Sequence, residues 1–199
     1  MMGHCDAAPE EVPEDPIQPP PIHPLRNSWT FWLCNWDSNS NNGHPLRELD
    51  TVDSAEGLFR AYSALPRPSA FGNGTDLCVF RRGIKPEWED PNNVNGGRWV
   101  ACVLKTDPGH KTTIDLYWVR LLVNSVGERF GEWNQKICGV RVRIRERVYL
   151  ISLWIRHFEP VESHGLVNVG RLTKSALKIR EDQTIGFRTH AFSVTIMEV

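Results

Sequence analysis

Between residues 141 and 147 the chain reads Arg141-Val142-Arg143-Ile144-Arg145-Glu146-Arg147. At a spacing of two, the four arginines fall on one face of an extended strand, while Val142, Ile144 and Val148 turn to the other. Like charges aligned in this way repel one another unless an anion lies over them, and the planar donor fork of arginine suits phosphate oxygens. A solvated strand face that discourages edge-to-edge aggregation explains the same pattern. A second group, Pro86-Glu87-Trp88-Glu89-Asp90, sets carboxylates beside an aromatic ring. Recognition of guanine needs this pairing: the ring stacks on the base, and two carboxylate oxygens accept the two donors of its Watson–Crick edge. The competing reading is a hydrophobic anchor for a long loop. Eight tryptophans in 199 residues are many, and flat rings serve both core filling and base stacking.

These groups need elements to position them. Residues 1–22 carry Pro9, Pro13, Pro16, Pro19, Pro20 and Pro21 among Glu10, Glu11, Glu14 and Asp15. With so little apolar surface this segment cannot repay its ordering entropy, so it reads as a disordered arm before one domain spanning 23–199. Trp29 to Trp36 has strand character and runs into the polar loop 37–43. Ser54 is placed to cap a helix that ends before Pro66, and a strand follows over about Asp76 to Arg82. Gly83 to Gly97 is a long loop with Trp88 in its middle. A strand from Arg98 to Leu104, a helix from about Thr112 to Val126, and strands from Ile137 to Arg147 and Val148 to Trp154 come next. A third helix is expected over Val169 to Ile179, a strand over Thr184 to His190, and another strand over Phe192 to Met197. The expected class is α+β, a mostly antiparallel curved sheet with helices on one face.

Composition narrows the chemistry. The net charge is −1, so a nucleic-acid ligand must be met by a local basic patch and not by a global field. Five cysteines at no zinc or redox spacing read as reduced thiols, and seven scattered histidines predict no metal site. No basic leader precedes an apolar run, and no stretch of about 18 apolar residues occurs, which predicts a cytoplasmic protein. The acidic residues are dispersed, which argues against a metal-dependent hydrolase, so no catalytic residue and no cofactor are expected. A general single-strand RNA binder would use the arginine strand without needing Glu89.

Several short motifs fall in one order along the chain: His23-Pro24-Leu25, Trp29 and Trp32, Trp88-Glu89-Asp90, Gly96-Gly97-Arg98-Trp99, Gly127-Glu128, Cys138-Gly139, the arginine strand ending at Trp154, and Ile185-Gly186 with His190. In this order and spacing, over about residues 23–190, the chain resembles the eukaryotic translation initiation factor 4E family as a divergent member. The resemblance implies a cupped sheet of about eight strands backed by three helices, with the 7-methylguanosine cap of messenger RNA held on the concave face. It implies that Trp88 is one of two stacking rings, that Glu89 holds guanine, and that Arg98, Arg145 and Arg147 contact the phosphates. Trp99 and Trp154 match family tryptophans near the site, as contacts or as supports. Methylation at N7 makes the base a cation, so each flanking ring adds about 0.5–2 kcal/mol that plain guanine lacks.

This chain departs from the family pattern at several places. Asn42 stands where the second stacking tryptophan is expected, leaving Trp36 to close the sandwich or to end its strand. Leu150 replaces a lysine near the phosphates, and Arg143 is expected to compensate. The chain stops soon after His190, in the region that usually reaches the second nucleotide. On the convex face, His23, Pro24, Leu25, Phe59, Val119, Leu122, Val123 and Val126 match the surface that binds a helical motif on the scaffold factor 4G or on repressors. Arg120 stands where the family usually has a glutamate, which points to a divergent partner. The implied function is cap binding in translation initiation by a monomer, or, in the alternative, cap binding by a repressor or storage factor.

Overall fold

Alternation along the strands produces two dissimilar faces. The computed structural model describes residues 21–35, 46–157, 163–190 and 195–199, and the arm up to residue 20, the loop 36–45 and Trp36 lie outside them. Strands β1 (Pro24–Asn35), β2 (Leu46–Ser54), β3 (Thr75–Arg81), β4 (Gly97–Leu104), β5 (Ile137–Ile144), β6 (Val148–Ile155), β7 (Gly186–Thr189) and β8 (Thr195–Glu198) form one sheet in the order β2-β1-β3-β5-β6-β4-β7-β8. All its pairings are antiparallel. The expected α+β class, with eight strands and three α-helices, is the one found.

One face carries Trp29, Phe31, Leu77, Val79, Val140, Val142, Ile151 and Leu153, all buried in the main core with residues of the helices. Helix α1 (Ala55–Ala64) starts where its sequence says it should: the Ser54 side chain accepts from the Gly57 backbone N–H. Helix α2 (His110–Val126) turns Ile114, Trp118, Leu121 and Leu122 into this core. The other face carries a smaller cluster of Trp32, Cys78, Phe80, Ile84, Cys138 and Trp154. Burying one such side chain contributes about 1.5–3 kcal/mol, so the helix-side face dominates stability and leaves the opposite face available for polar work.

Three elements differ from expectation. Strand β2 has no counterpart in the sequence reading, because Arg47, Glu48, Asp50 and Asp53 mask its few apolar residues. It is an edge strand paired only with β1, and an edge tolerates charge. Helix α3 (Ser163–Leu177) begins six residues before the expected Val169 and contains two glycines that weaken helix propensity, Gly165 before that residue and Gly170 just after it. Those glycines are required by packing: a Cβ on Gly165 would stand 2.6 Å from the Trp133 ring, and one on Gly170 would stand 2.5 Å from Trp99. Strand β5 stops at Ile144, so the arginine run is only partly strand. Arg145 follows its end and Arg147 is exposed in the hairpin turn, which the Arg145 N–H closes on the Val148 carbonyl at 3.0 Å.

Candidate functional site

The sheet register assembles the site. Across β3, β5 and β6, Cys78 stands beside Arg141 and Arg141 beside Ser152, while Asp76 stands beside Arg143 and Arg143 beside Leu150. Arg98 on β4 pairs with Trp154 on β6. The period-two reading of the arginines therefore holds for Arg141 and Arg143, which share the face opposite the helices, and Val142 and Ile144 are in the core.

The anion over these arginines turns out to be internal. Asp76 is fully buried, and Arg141 donates to its carboxylate through Nε at 3.0 Å and through Nη2. Arg145 Nη1 donates to the same group at 2.7 Å, and Arg143 Nε lies 3.5 Å away. Burial pushes the Asp76 carboxyl up, but Arg141, Arg145 and Arg143 together outweigh burial and hold it below the ordinary carboxylate range. One carboxylate cannot offset three guanidiniums. Burial and then the Arg141 charge push Arg143 down to about 10, and burial with Arg141 and Arg188 pushes Arg98 to about 10. Both remain charged at neutral pH.

Above this wall stands the loop 82–96. Its Asp90 carboxylate accepts the Lys85 N–H at 2.9 Å and the Asn92 N–H at 2.8 Å. Asn93, with no exposed surface, donates through Nδ2 to the carbonyls of Lys85 and Glu87, both at 2.8 Å. Burial raises the Asp90 carboxyl, and the bonds from Lys85 and Asn92 bring it below its ordinary value. A loop tied at so many backbone groups is a platform, and it presents Trp88, 53% exposed, with Glu89 exposed beside it.

Loop and wall enclose a cavity of about 350 Å³ lined by Glu87, Trp88, Glu89, Arg98, Arg141, Arg143, Trp154 and His190, with Cys34, Leu46, Cys78 and Pro86. The larger cleft of about 850 Å³ beside Arg171 and Lys174 on α3 has no aromatic ring in its lining. At the back, Trp154 donates from Nε1 to Ser152 Oγ at 3.2 Å and packs against His190 with ring centroids 4.1 Å apart and the planes tilted by 34°. The His190 Nδ1 is 3.0 Å from Arg98 Nη1. Burial, then the charges of Arg98 and Arg141, push His190 down to about 3, so its ring is neutral and Nδ1 accepts from Arg98. Burial pushes the Cys78 thiol up to about 12, which leaves it unreactive. The cavity is thus acidic and aromatic at its rim and cationic at its back, which suits a base with an attached polyanion. Among the described residues, no group of His, Cys, Asp and Glu stands ready to hold a metal.

A family model described as eukaryotic initiation factor 4E matches residues 24–197. The chain belongs to the eukaryotic initiation factor 4E family. It is 32% identical over 189 residues to eukaryotic translation initiation factor 4E-3 of Caenorhabditis elegans, covering 94% of this chain and 73% of the relative. It is 33% identical over 184 residues to initiation factor 4E of Aplysia californica, covering 91% and 84%. Among solved structures, C. elegans eIF4E-3 in complex with the 4E-binding protein Mextli superimposes with a TM-score of 0.82 at 30% identity, over 90% of this chain and 100% of that one. Ascaris suum eIF4E-3 with an m7G cap gives 0.81 at 29% identity, over 89% and 98%.

Of the site residues named from sequence, the structure of this initiation factor 4E family member brings Trp88, Glu89, Arg98, Arg143 and His190 to one cavity. Arg145 reaches the wall through Asp76, while Arg147 stands outside the cavity lining in its exposed turn. Trp36 lies outside the described residues. On the convex face, Phe59 (50%) and Val123 (39%) are exposed and Val119 is half-buried, but Leu122 (1%) and Val126 (4%) lie beneath this surface and not on it. His23 and Pro24 are exposed and Leu25 is half-buried; His23 is fastened to Glu56 of α1 at 2.6 Å, and Arg120 donates to the Leu177 carbonyl of α3 at 3.0 Å. Sequence reasoning read Arg141 as one of the four aligned arginines without naming it among the phosphate contacts, and it passed over Asp76. The signal for Asp76 was present, as the one carboxylate in a strand that runs Leu77-Cys78-Val79-Phe80 behind it.

Proposed function

We propose that this chain binds the 7-methylguanosine 5′ cap of messenger RNA and acts in translation initiation. The observation that carries the reading is the single cavity that has Trp88 and Glu89 at its rim and Arg98, Arg141 and Arg143 at its back. In this reading Trp88 stacks on the base, with Trp36 as the opposite ring, and Glu89 accepts the two Watson–Crick donors of guanine. Arg98, Arg143, Arg145 and Arg147 take the phosphate bridge, with Arg147 acting from the hairpin turn. His190, beside Arg98, faces the second-nucleotide side. The ligand is held and released, not cleaved, so the role is binding without catalysis, and the place of work is the cytoplasm. No helix among the described residues is long and apolar enough to cross a membrane.

The convex face supplies the second contact. Phe59, Leu116, Val119 and Val123 present apolar surface on α1 and α2, which suits an amphipathic helix from a 4G-like scaffold or a 4E-binding repressor. Solved relatives bound to Mextli, and a schistosome eIF4E bound to m7GpppG and 4E-BP, favour such a partner and keep a repressing role as the alternative. The deciding experiment is competition on a 7-methylguanosine matrix. Release of the protein by 7-methylguanosine triphosphate is expected, while retention on the matrix through excess free cap analogue, or failure to bind it at all, overturns the reading.

A further inference from the structure

Arg141 differs from the other cations of the pocket. Its side chain is only 7% exposed, against 31% for Arg143 and 32% for Arg145. Two of its donors hold Asp76, and its guanidinium carbon lies 5.7 Å from the centre of the Trp154 ring. Arg98 lies at 5.7 Å from the same ring, and His190 packs against it at a tilt. A guanidinium clamped between a carboxylate and a ring cannot swing away when a ligand enters. The π density of Trp154 is already engaged by two cations, which leaves little for a third. Asp76 is shared with Arg143 and Arg145, so its one negative charge does not cancel the cation at the back of the cavity.

We infer that Arg141 sets how strongly this pocket prefers a positively charged base to a neutral one, its fixed charge against Trp154 reducing the advantage of N7-methylated guanine and shifting affinity to the phosphates. The inference rests on the cap-binding reading and names its ligand class: guanine nucleotides bearing a polyphosphate, with modest selection for the methyl group. Glu87 and Glu89, on the opposite rim, keep the base at the loop. Two flanking rings alone would give a methyl preference of about fiftyfold at the middle of the cation–π range.

Fluorescence titrations of the full chain with 7-methylguanosine triphosphate, GTP and the nucleoside 7-methylguanosine test it. The unaltered protein is expected to prefer methylated triphosphate to GTP by less than that fiftyfold; a larger preference overturns the inference without any variant. Arg141→Gln is expected to weaken both triphosphates, to widen their ratio at least about threefold, and to leave the nucleoside bound as well or better. Arg141→Lys should restore the original ratio. An unchanged ratio in Arg141→Gln, or equal losses for nucleoside and triphosphate, assigns Arg141 a structural role only. If none of the three ligands binds the unaltered protein, the cap-binding reading itself fails and takes this inference with it.

Discussion

Glu89 and Trp88 are neighbours in sequence and both open to solvent at the rim of the cavity, so changes there reach the ligand without disturbing the core. Glu89→Ala is expected to cost about 1–3 kcal/mol of cap affinity, because guanine's edge donors lose their acceptor. Isothermal titration with 7-methylguanosine triphosphate measures it, with an unaltered melting temperature as the control. Trp36→Leu keeps an apolar body but removes the π face; the methylated cap should lose about 0.5–2 kcal/mol and GTP less. Unchanged fluorescence quenching by the methylated ligand would count against Trp36. His190 gives a pH prediction. Its folded-state value of about 3 lies below the ordinary value near 6.5, so the unfolded chain binds the extra proton between them. The stability that comes from keeping His190 neutral is complete above about pH 6.5 and is lost as pH falls toward 3, by at most about 1.4 kcal/mol per pH unit. Denaturant melts at stepped pH should show a shallower slope in His190→Asn over that window.

At the scale of the element, the rim loop owes its shape to residues that never meet the ligand. Asn93 is fully buried and bonds the backbone at Lys85 and Glu87, on the approach to Trp88. Removing its amide takes the Asn93 donor from the Lys85 carbonyl and leaves the Glu87 carbonyl with the Asp90 N–H at 3.3 Å, and a carbonyl left buried without a donor costs about 1–3 kcal/mol. The loop is expected to loosen instead, so Asn93→Ala should weaken cap binding several-fold while the melting temperature moves little. Hydrogen exchange of residues 85–95 would register the loosening, and an equal affinity with faster exchange would show that the platform need not be rigid. Helix α3 teaches a related lesson, since Gly165 and Gly170 lower helix propensity yet are the residues that let Trp133 and Trp99 approach its backbone.

At the scale of the whole molecule, the sheet separates two surfaces. The cavity opens on the face of Trp154 and Arg98, while Phe59 and Val123 are exposed on the helices that cover the opposite face. A change on one surface should therefore be silent on the other. Val123→Asp puts a charge into the apolar stripe of α2 and is expected to abolish capture of a 4E-binding helical peptide, with cap affinity within about twofold of the unaltered protein. Pull-down on immobilised peptide and cap titration on the same sample separate the two effects. A large loss of cap affinity would mean that the surfaces are coupled through the sheet.

The sequence by itself determined the alternation and the local chemistry. Arg141 and Arg143 fell on one face and Val142 and Ile144 on the other, because a strand's period of two is a property of the backbone. Ser54 marked the start of α1 because capping is a local hydrogen bond. Trp88 and Glu89 could be singled out from the sequence because stacking and carboxylate recognition need only neighbouring residues, and the structure places both on the cavity. Tertiary structure decided which charges meet. Asp76 stands 65 residues before Arg141 in the chain, and only the pairing of β3 with β5 makes it their shared counter-ion. Strand β2 and the first turn of α3 were hidden for the same reason: their local composition argues against them, and pairing with β1 and packing against Trp133 outweigh those preferences. Arg120 shows the limit most plainly, since its bond to the Leu177 carbonyl joins two helices whose packing no local pattern contains.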